Sequence, residues 1–241
     1  MSKEENRNKK VKPRVEGELM KKTDDNPLDS WRIFKIMAEF VEGFEMIRKF
    51  NKAATFYGSA RCGLDDKRYQ EASELAAKLS NDGFDVVTGG GPGIMEAANR
   101  GAFQSGVGKS IGLNIELPME QKINPSVHES KAFHYFFTRK VMLAFASDVY
   151  IYFPGGFGTL DEFFEMLTLV QTKKINRIPI ILYGKDFWEP LVDWFKNSLA
   201  EKFKTIDASD TELFVVVDSV DEAYEIISEK VYEYCGKNGT C

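Results

Sequence analysis

Phe84-Asp85-Val86-Val87-Thr88-Gly89-Gly90-Gly91-Pro92-Gly93-Ile94-Met95-Glu96 is the stretch on which the fold turns. It opens as FDVVT, mostly β-branched or aromatic with little polar alternation, which is the pattern of a strand buried on both faces. Glycines 89, 90, 91 and 93 break that strand, and EAANRGAF at 96–103 is a good helix former. A strand, a glycine turn and a helix start in succession form the repeating unit of an α/β protein. The helix N-terminus offers free N–H groups and the positive end of a dipole, and missing side chains let an anion such as phosphate reach the backbone. The same residues also make a tight turn without any ligand. Four glycines in five residues exceed what a turn needs, which favours phosphate.

Five further apolar runs flank this unit: ATFYG at 54–58, IGLNI at 111–115, DVYIYFPGG at 148–156, IPIILYG at 178–184 and LFVVVD at 213–218. Most end at Gly or Pro, and helical stretches lie between most of them. The expected fold is a Rossmann-like, doubly wound α/β domain with a mostly parallel sheet of six or seven strands flanked by helices, because parallel neighbours need crossovers long enough to hold a helix. In such sheets ligands bind beyond the carboxyl ends of the strands. A helix is expected from 30 to about 50, with Ser30 as N-cap and Trp31, Phe34, Met37, Ala38, Val41, Phe44 and Ile47 at spacings of three and four, and that face should pack on the body. Residues 1–29 are rich in Lys, Glu, Asn and Asp and read as a charged tail; 30–235 read as one domain, its last helix near 220–234, and 236–241 as a frayed end.

The chain has 241 residues, 43% hydrophobic and 29% charged, which sets aside disordered, collagenous and low-complexity classes. A net charge of -5 gives no general electrostatic reason to expect nucleic acid as a partner. Cys62, Cys235 and Cys241 are scattered and odd in number, neither a disulfide framework nor a metal pair, and point to a reducing cytoplasm. Two histidines, His128 and His134, are too few for a multi-His zinc site. No metal and no cofactor are expected. The first residues lack an apolar signal region, and no run approaches the roughly 18 apolar residues of a membrane span. The chemistry therefore falls to carboxylates, Arg, Lys or backbone amides.

A second turn, Pro154-Gly155-Gly156-Phe157-Gly158-Thr159-Leu160-Asp161-Glu162, again follows an apolar strand and precedes a helix. Both turns would lie on one edge of a parallel sheet, so their helix N-termini can converge on one charged ligand. Neither matches GxGxxG, since Glu96 and Asp161 stand at the third glycine, and a dinucleotide site is not supported. Gly108-Lys109-Ser110 is no P-loop, because Phe103 occupies the required first glycine. Glu162 has two readings: with Thr159 it forms an S/T-x-x-E capping box, or it is a catalytic carboxylate at the mouth of the anion site. Arg139 and Lys140 lie in AFHYFFTRKVMLAFAS, read as one helical stretch, where the helical neighbours of Arg139 are Tyr135, Phe136, Met142 and Leu143. Charges on so apolar a helix need an anionic partner, either a carboxylate such as Glu162 or a ligand phosphate. Ser59 and Arg61, after the first strand, are placed for polar contacts over the same edge. The two histidines read as packing or surface groups, and Cys62 as an inert thiol, with no base evident beside it.

GGGPGIMEAANRGA and PGGFGTLDE, with Arg139-Lys140 upstream, closely resemble the LOG ("lonely guy") family of phosphoribohydrolases, whose members have often been labelled possible lysine decarboxylases. The resemblance runs from about residue 53 to 217. Its most specific element, PGGxGTxxE, is matched at every fixed position from Pro154 to Glu162. The segment 114–121 and the N-terminal helix resemble the longer bacterial branch, which tends toward larger assemblies, so the resemblance implies a homo-oligomer, a dimer or as large as a hexamer. It implies hydrolysis of the N-glycosidic bond of a nucleoside 5'-monophosphate, AMP or a cytokinin riboside monophosphate, to free base and ribose 5-phosphate. Glu162 would stabilise the oxocarbenium-like state and activate water, and Arg139 would engage phosphate or the departing base. Lys140, Gly90, Gly91, Gly93, Gly155, Gly156, Gly158, Thr159 and Ser59 would hold the phosphoribosyl part, and Glu120 and Thr168 match family contacts more loosely. A pyridoxal decarboxylase would need a Schiff-base lysine and a pyridinium partner, and no such pair is identifiable. The rival reading is a non-catalytic carrier that binds a nucleotide or molybdopterin cofactor on the same fold. A pure binder gains nothing from a buried carboxylate beside a phosphate.

Overall fold

The computed structural model describes residues 30–50, 52–116 and 123–238. The tail 1–29, Glu120 and the last three residues lie outside them. In chain order the elements are α1 (Ser30–Ile47), β1 (Ala53–Tyr57), α2 (Lys67–Asn81), β2 (Asp85–Thr88), α3 (Ile94–Ser105), β3 (Ser110–Ile115), β4 (Glu129–Phe133), α4 (Phe136–Phe145), β5 (Val149–Tyr152), α5 (Phe157–Gln171), β6 (Ile180–Tyr183), α6 (Lys185–Trp194), β7 (Val215–Val217) and α7 (Val220–Asn238). A π-helical segment, Phe195–Lys202, continues α6, and α7 runs past the end expected near residue 234.

The strands form one sheet in the order β4-β3-β2-β1-β5-β6-β7, with every neighbouring pair parallel. Strand order reverses between β1 and β5, and the crevice at that switch point is where such folds bind ligands. β1 shows why both faces are covered. Ala54 and Phe56 join a core with Leu75, Leu79, Ile94 and Ile227 from α2, α3 and α7. Ala53 and Tyr57 join the opposite core with Met142, Phe163 and Trp188 from α4, α5 and α6.

Six strands are the six apolar runs. The seventh, β4, has the sequence ESKAF and alternates between partly buried and exposed positions before Phe133. As the edge of the sheet it carries no continuous apolar signal. It also occupies the start of what reads as one helical stretch: α4 begins only at Phe136.

α1 packs differently from expectation. Trp31, Phe34, Met37 and Val41 are 55–64% exposed, so the anticipated face points outward. Of that face Ile47 docks, joined by Phe40 and Met46, with Gly43 buried against Met142 of α4 and Phe133 of β4. Only the glycine side lets the α1 backbone come this close, because a Cβ there would meet Met142 Sδ.

Candidate active site

A cavity of about 690 Å³ opens at the switch point, between the ends of β1, β2 and β5 and the first turns of α4 and α5. Ser59, Arg139, Gly156, Gly158, Thr159 and Glu162 all line it, as does Arg61. Arg139 and Glu162, on successive helices separated by β5, thus share one cavity.

The two glycine turns behave differently. In the first, Gly90 (φ +70) packs against the Asn114 side chain, and Gly93 (φ +73) packs on the Ser59 carbonyl and Ala60 backbone. The Gly90 amide donates to Thr88 Oγ1 at 2.9 Å, and the Ile94 amide to the Ser59 carbonyl at 3.1 Å. Thr88 Oγ1 donates to Asn99 Oδ1 (2.6 Å), which also accepts from Asn124 Nδ2 (2.9 Å). Gly90, Gly91 and Gly93 are thus stitched into the protein and are not among the cavity-lining residues; Gly89 lines it instead, against the Arg139 guanidinium. In the second turn, a Cβ on Gly156 or Gly158 would meet nothing within 4 Å. Gly155 alone is a packing glycine, under the Thr159 side chain.

Helix α5 starts at Phe157 with Gly156 as N-cap and no side-chain cap. Thr159 and Glu162 therefore lie inside the helix, and the capping-box reading of Glu162 falls. The first amides of any α-helix lack intrahelical acceptors, and here the residues that carry them, Phe157 to Thr159, line the cavity.

Glu162 is only 6% exposed, and its carboxyl is pushed up to about 7. Burial is the main cause; Glu165 and Asp161 add to it, while Lys140 and Arg139 oppose it. Burial likewise lowers Arg139 from its ordinary value, against the pull of Glu162 and Tyr57. Arg139 Nε donates to the Leu113 carbonyl at 2.7 Å, which fixes the guanidinium over the end of β3. Lys140 takes a different role from the one expected: its ammonium bridges α4 to α5 through Asp161 (2.5 Å) and Glu165 (3.2 Å), away from the cavity wall. That bridge ties together the residues next to Arg139 and Glu162.

The start of α4 has no cap of its own. Glu39 of α1 supplies one: Oε1 accepts from the His134 amide (2.7 Å), and Oε2 from Thr138 Oγ1 (2.6 Å) and the Tyr135 amide (3.3 Å). An added helix outside the α/β repeat thereby helps to hold the arginine helix.

Thr168 lies in a separate cleft with Phe195 and Leu213, its hydroxyl donating to the Phe164 carbonyl. His128 Nδ1 accepts from the Ser110 amide and its ring stacks on Phe103, while His134 faces Glu116. The Cys62 thiol is pushed up to about 11 by burial and by Asp66, which keeps it protonated and inert. Tyr57, Met95, Phe136 and Phe157 line the cavity without having been singled out from sequence. Among the described residues no lysine lines it.

A family model described as "Possible lysine decarboxylase" matches residues 95–227. The chain is 29% identical over 189 residues to the cytokinin riboside 5'-monophosphate phosphoribohydrolase LOG of Oryza sativa subsp. japonica, covering 77% of this chain and 76% of the rice protein. It is 27% identical over 157 residues to the cytokinin riboside 5'-monophosphate phosphoribohydrolase of Rhodococcoides fascians, covering 64% of this chain and 79% of that one. This chain belongs to the LOG family. The molybdenum cofactor carrier protein of Chlamydomonas reinhardtii shares the fold, with a TM-score of 0.57 at 22% identity over 76% of this chain and 99% of its own. The match to the LOG family model takes in Arg139, the open turn and Glu162, and begins two residues after Gly93.

Proposed function

We propose that this chain hydrolyses the N-glycosidic bond of a nucleoside 5'-monophosphate, AMP or a cytokinin riboside monophosphate, giving free base and ribose 5-phosphate. One observation carries the reading: Glu162, buried and held near neutrality, faces the same cavity as Arg139 and the open amides of α5. The amides of Phe157, Gly158 and Thr159 hold the phosphate, with Arg61 and Ser59 at the opposite lip. The C1'–N bond breaks with its electron pair leaving on the base, and positive charge develops on the sugar beside Glu162. Water then adds through oxygen to C1'. Its proton passes to the Glu162 carboxylate, which releases it to solvent, and the base nitrogen takes a proton from solvent as it departs; Arg139 steadies the negative charge on that base or on the phosphate.

A carrier of a nucleotide or molybdopterin is the second reading, and the fold likeness to the Chlamydomonas protein speaks for it. Glu162 speaks against it, since a buried carboxylate weakens anion binding. Incubation with AMP and with N6-prenylated AMP, followed by chromatography, separates the two. Wild type should release base, and Glu162→Gln should do so about 10²-fold more slowly or worse. Intact nucleotide bound tightly by both would establish the carrier.

The same reading includes a homo-oligomer, dimer or hexamer, working in the cytoplasm without nucleic acid. The exposed stripe Trp31, Phe34, Met37 and Val41, with Phe145 beside it at 53% exposure, supports the assembly. Light scattering of Phe34→Glu/Val41→Glu should show a smaller particle than wild type; an unchanged mass would remove this face from the interface.

A further inference from the structure

The cavity holds a group that the proposed chemistry leaves unused. Tyr57, at the end of β1, lines it, yet its phenol oxygen is buried and has no hydrogen-bond partner. A buried hydroxyl without a partner is costly, and such groups persist where function needs them. The neighbouring strand shows where this one points. Tyr57 and Tyr152 are paired in register on β1 and β5, their rings stacked 4.9 Å apart and 9° from parallel. Tyr152 Oη reaches the backbone carbonyl of Glu162 at 3.2 Å. A parallel ring one strand over carries its own hydroxyl toward the same level of α5, and Tyr57, Glu162 and Arg139 line one cavity.

We infer that the Tyr57 hydroxyl is a positioning group for Glu162, donating a hydrogen bond to its ionised carboxylate and so holding it in the form that accepts a proton from water. The electrostatics agree with the placement. Burial keeps the Tyr57 proton on well beyond the ordinary range for a phenol, with Tyr152, Glu162 and Tyr150 adding to the effect and Arg139 opposing it. The other charges that face Glu162 are Lys140 from α4 and Asp161 and Glu165 from α5. None of these is a neutral donor. Tyr57 lines the same cavity and offers a buried, unpartnered proton to the carboxylate without adding charge, which lets Glu162 stay near neutrality and still be oriented.

The inference rests on the hydrolase reading for its purpose, but its test does not. The full chain is labelled with carboxyl-¹³C glutamate, the Glu162 resonance is identified by its loss in Glu162→Gln, and the signal is titrated in wild type, Tyr57→Phe and Tyr152→Phe. Tyr57→Phe should raise the Glu162 midpoint by about one pH unit, the effect of losing a hydrogen bond to a charged group. Tyr152→Phe, whose hydroxyl serves the backbone, should move it by less than about 0.3 unit. An unmoved or lowered midpoint in Tyr57→Phe, or equal shifts in both variants, overturns the role. If base release occurs, the acid limb of kcat/KM should move with the midpoint in Tyr57→Phe. Absence of base release from wild type would reject the hydrolase reading while leaving the titration result standing.

Discussion

The two glycine turns look like copies of one device in sequence and do opposite work in the structure. After β2, the space beside each key glycine is taken by the protein: Arg139 at Gly89, Asn114 at Gly90, the Ser59–Ala60 backbone at Gly93. After β5, the space beside Gly156 and Gly158 is empty cavity wall. A glycine reports that something comes close to the backbone, and it does not report whether that something is protein or ligand. The first turn is a keystone that locks β1 to α3, and the second is the cradle. If this division is right, the same substitution should damage folding in one turn and binding in the other.

The largest effect is expected at Gly93. Its φ of 73° and ψ of -130° suit glycine alone, and a Cβ would run into backbone that cannot rotate away. Gly93→Ala should lose about 3–4 kcal/mol of stability by chemical denaturation, with activity falling only as the folded fraction falls. A variant of wild-type stability and no affinity for nucleotide would assign this turn to the ligand.

The cradle side should show the reverse sign at its carboxylate. Glu162 binds its proton more tightly in the folded chain, at about 7 against 4.5 for an ordinary glutamate. Below pH about 4.5 both states are protonated and the group contributes nothing. Between there and pH 7 the unfolded chain releases the proton first, so stability falls as pH rises and stays low above 7. Glu162→Gln, which mimics the protonated form, should therefore be about 2–3 kcal/mol more stable than wild type at pH 8 and equal to it near pH 4.5. A residue under such strain for packing reasons alone has no evident purpose; one held for catalysis has. Equal stability of the two proteins at pH 8 would mean that the buried carboxylate is fully compensated by Arg139 and Lys140.

What the sequence disclosed follows the same division. Six strands were legible because both sheet faces are covered and the runs are continuously apolar; β4, at the edge, was hidden by Glu129, Ser130 and Lys131. Glu162 was legible as a carboxylate just after a glycine turn, and Arg139 as a charge in apolar company. Lys140 was assigned with Arg139 because neighbours in sequence share a motif, yet successive helical residues point about 100° apart, and only Arg139 turns to the cavity. Thr168 fails for the same reason: six residues beyond Glu162 is about 240° around α5. Tyr57 was hidden as an aromatic in a core strand, where its ring is indeed packed and only its hydroxyl is out of place. The outward stripe of α1 read as core because periodicity finds an apolar face without saying what meets it.

The finest test of the comparison is at Gly158, the second residue of α5. An alanine there meets nothing in the protein and gains helix propensity, so Gly158→Ala should unfold no more easily than wild type, within about 0.5 kcal/mol. Its methyl would instead project where the nucleotide's phosphate must approach the amides. Measured by calorimetry in a Glu162→Gln background, which prevents turnover, AMP affinity should fall about tenfold, equivalent to about 1.4 kcal/mol. Set beside Gly93→Ala, the pair crosses over: one loses stability at constant intrinsic affinity, the other loses affinity at constant stability. Loss of stability without loss of affinity at Gly158 would collapse the distinction and return both turns to a purely structural role.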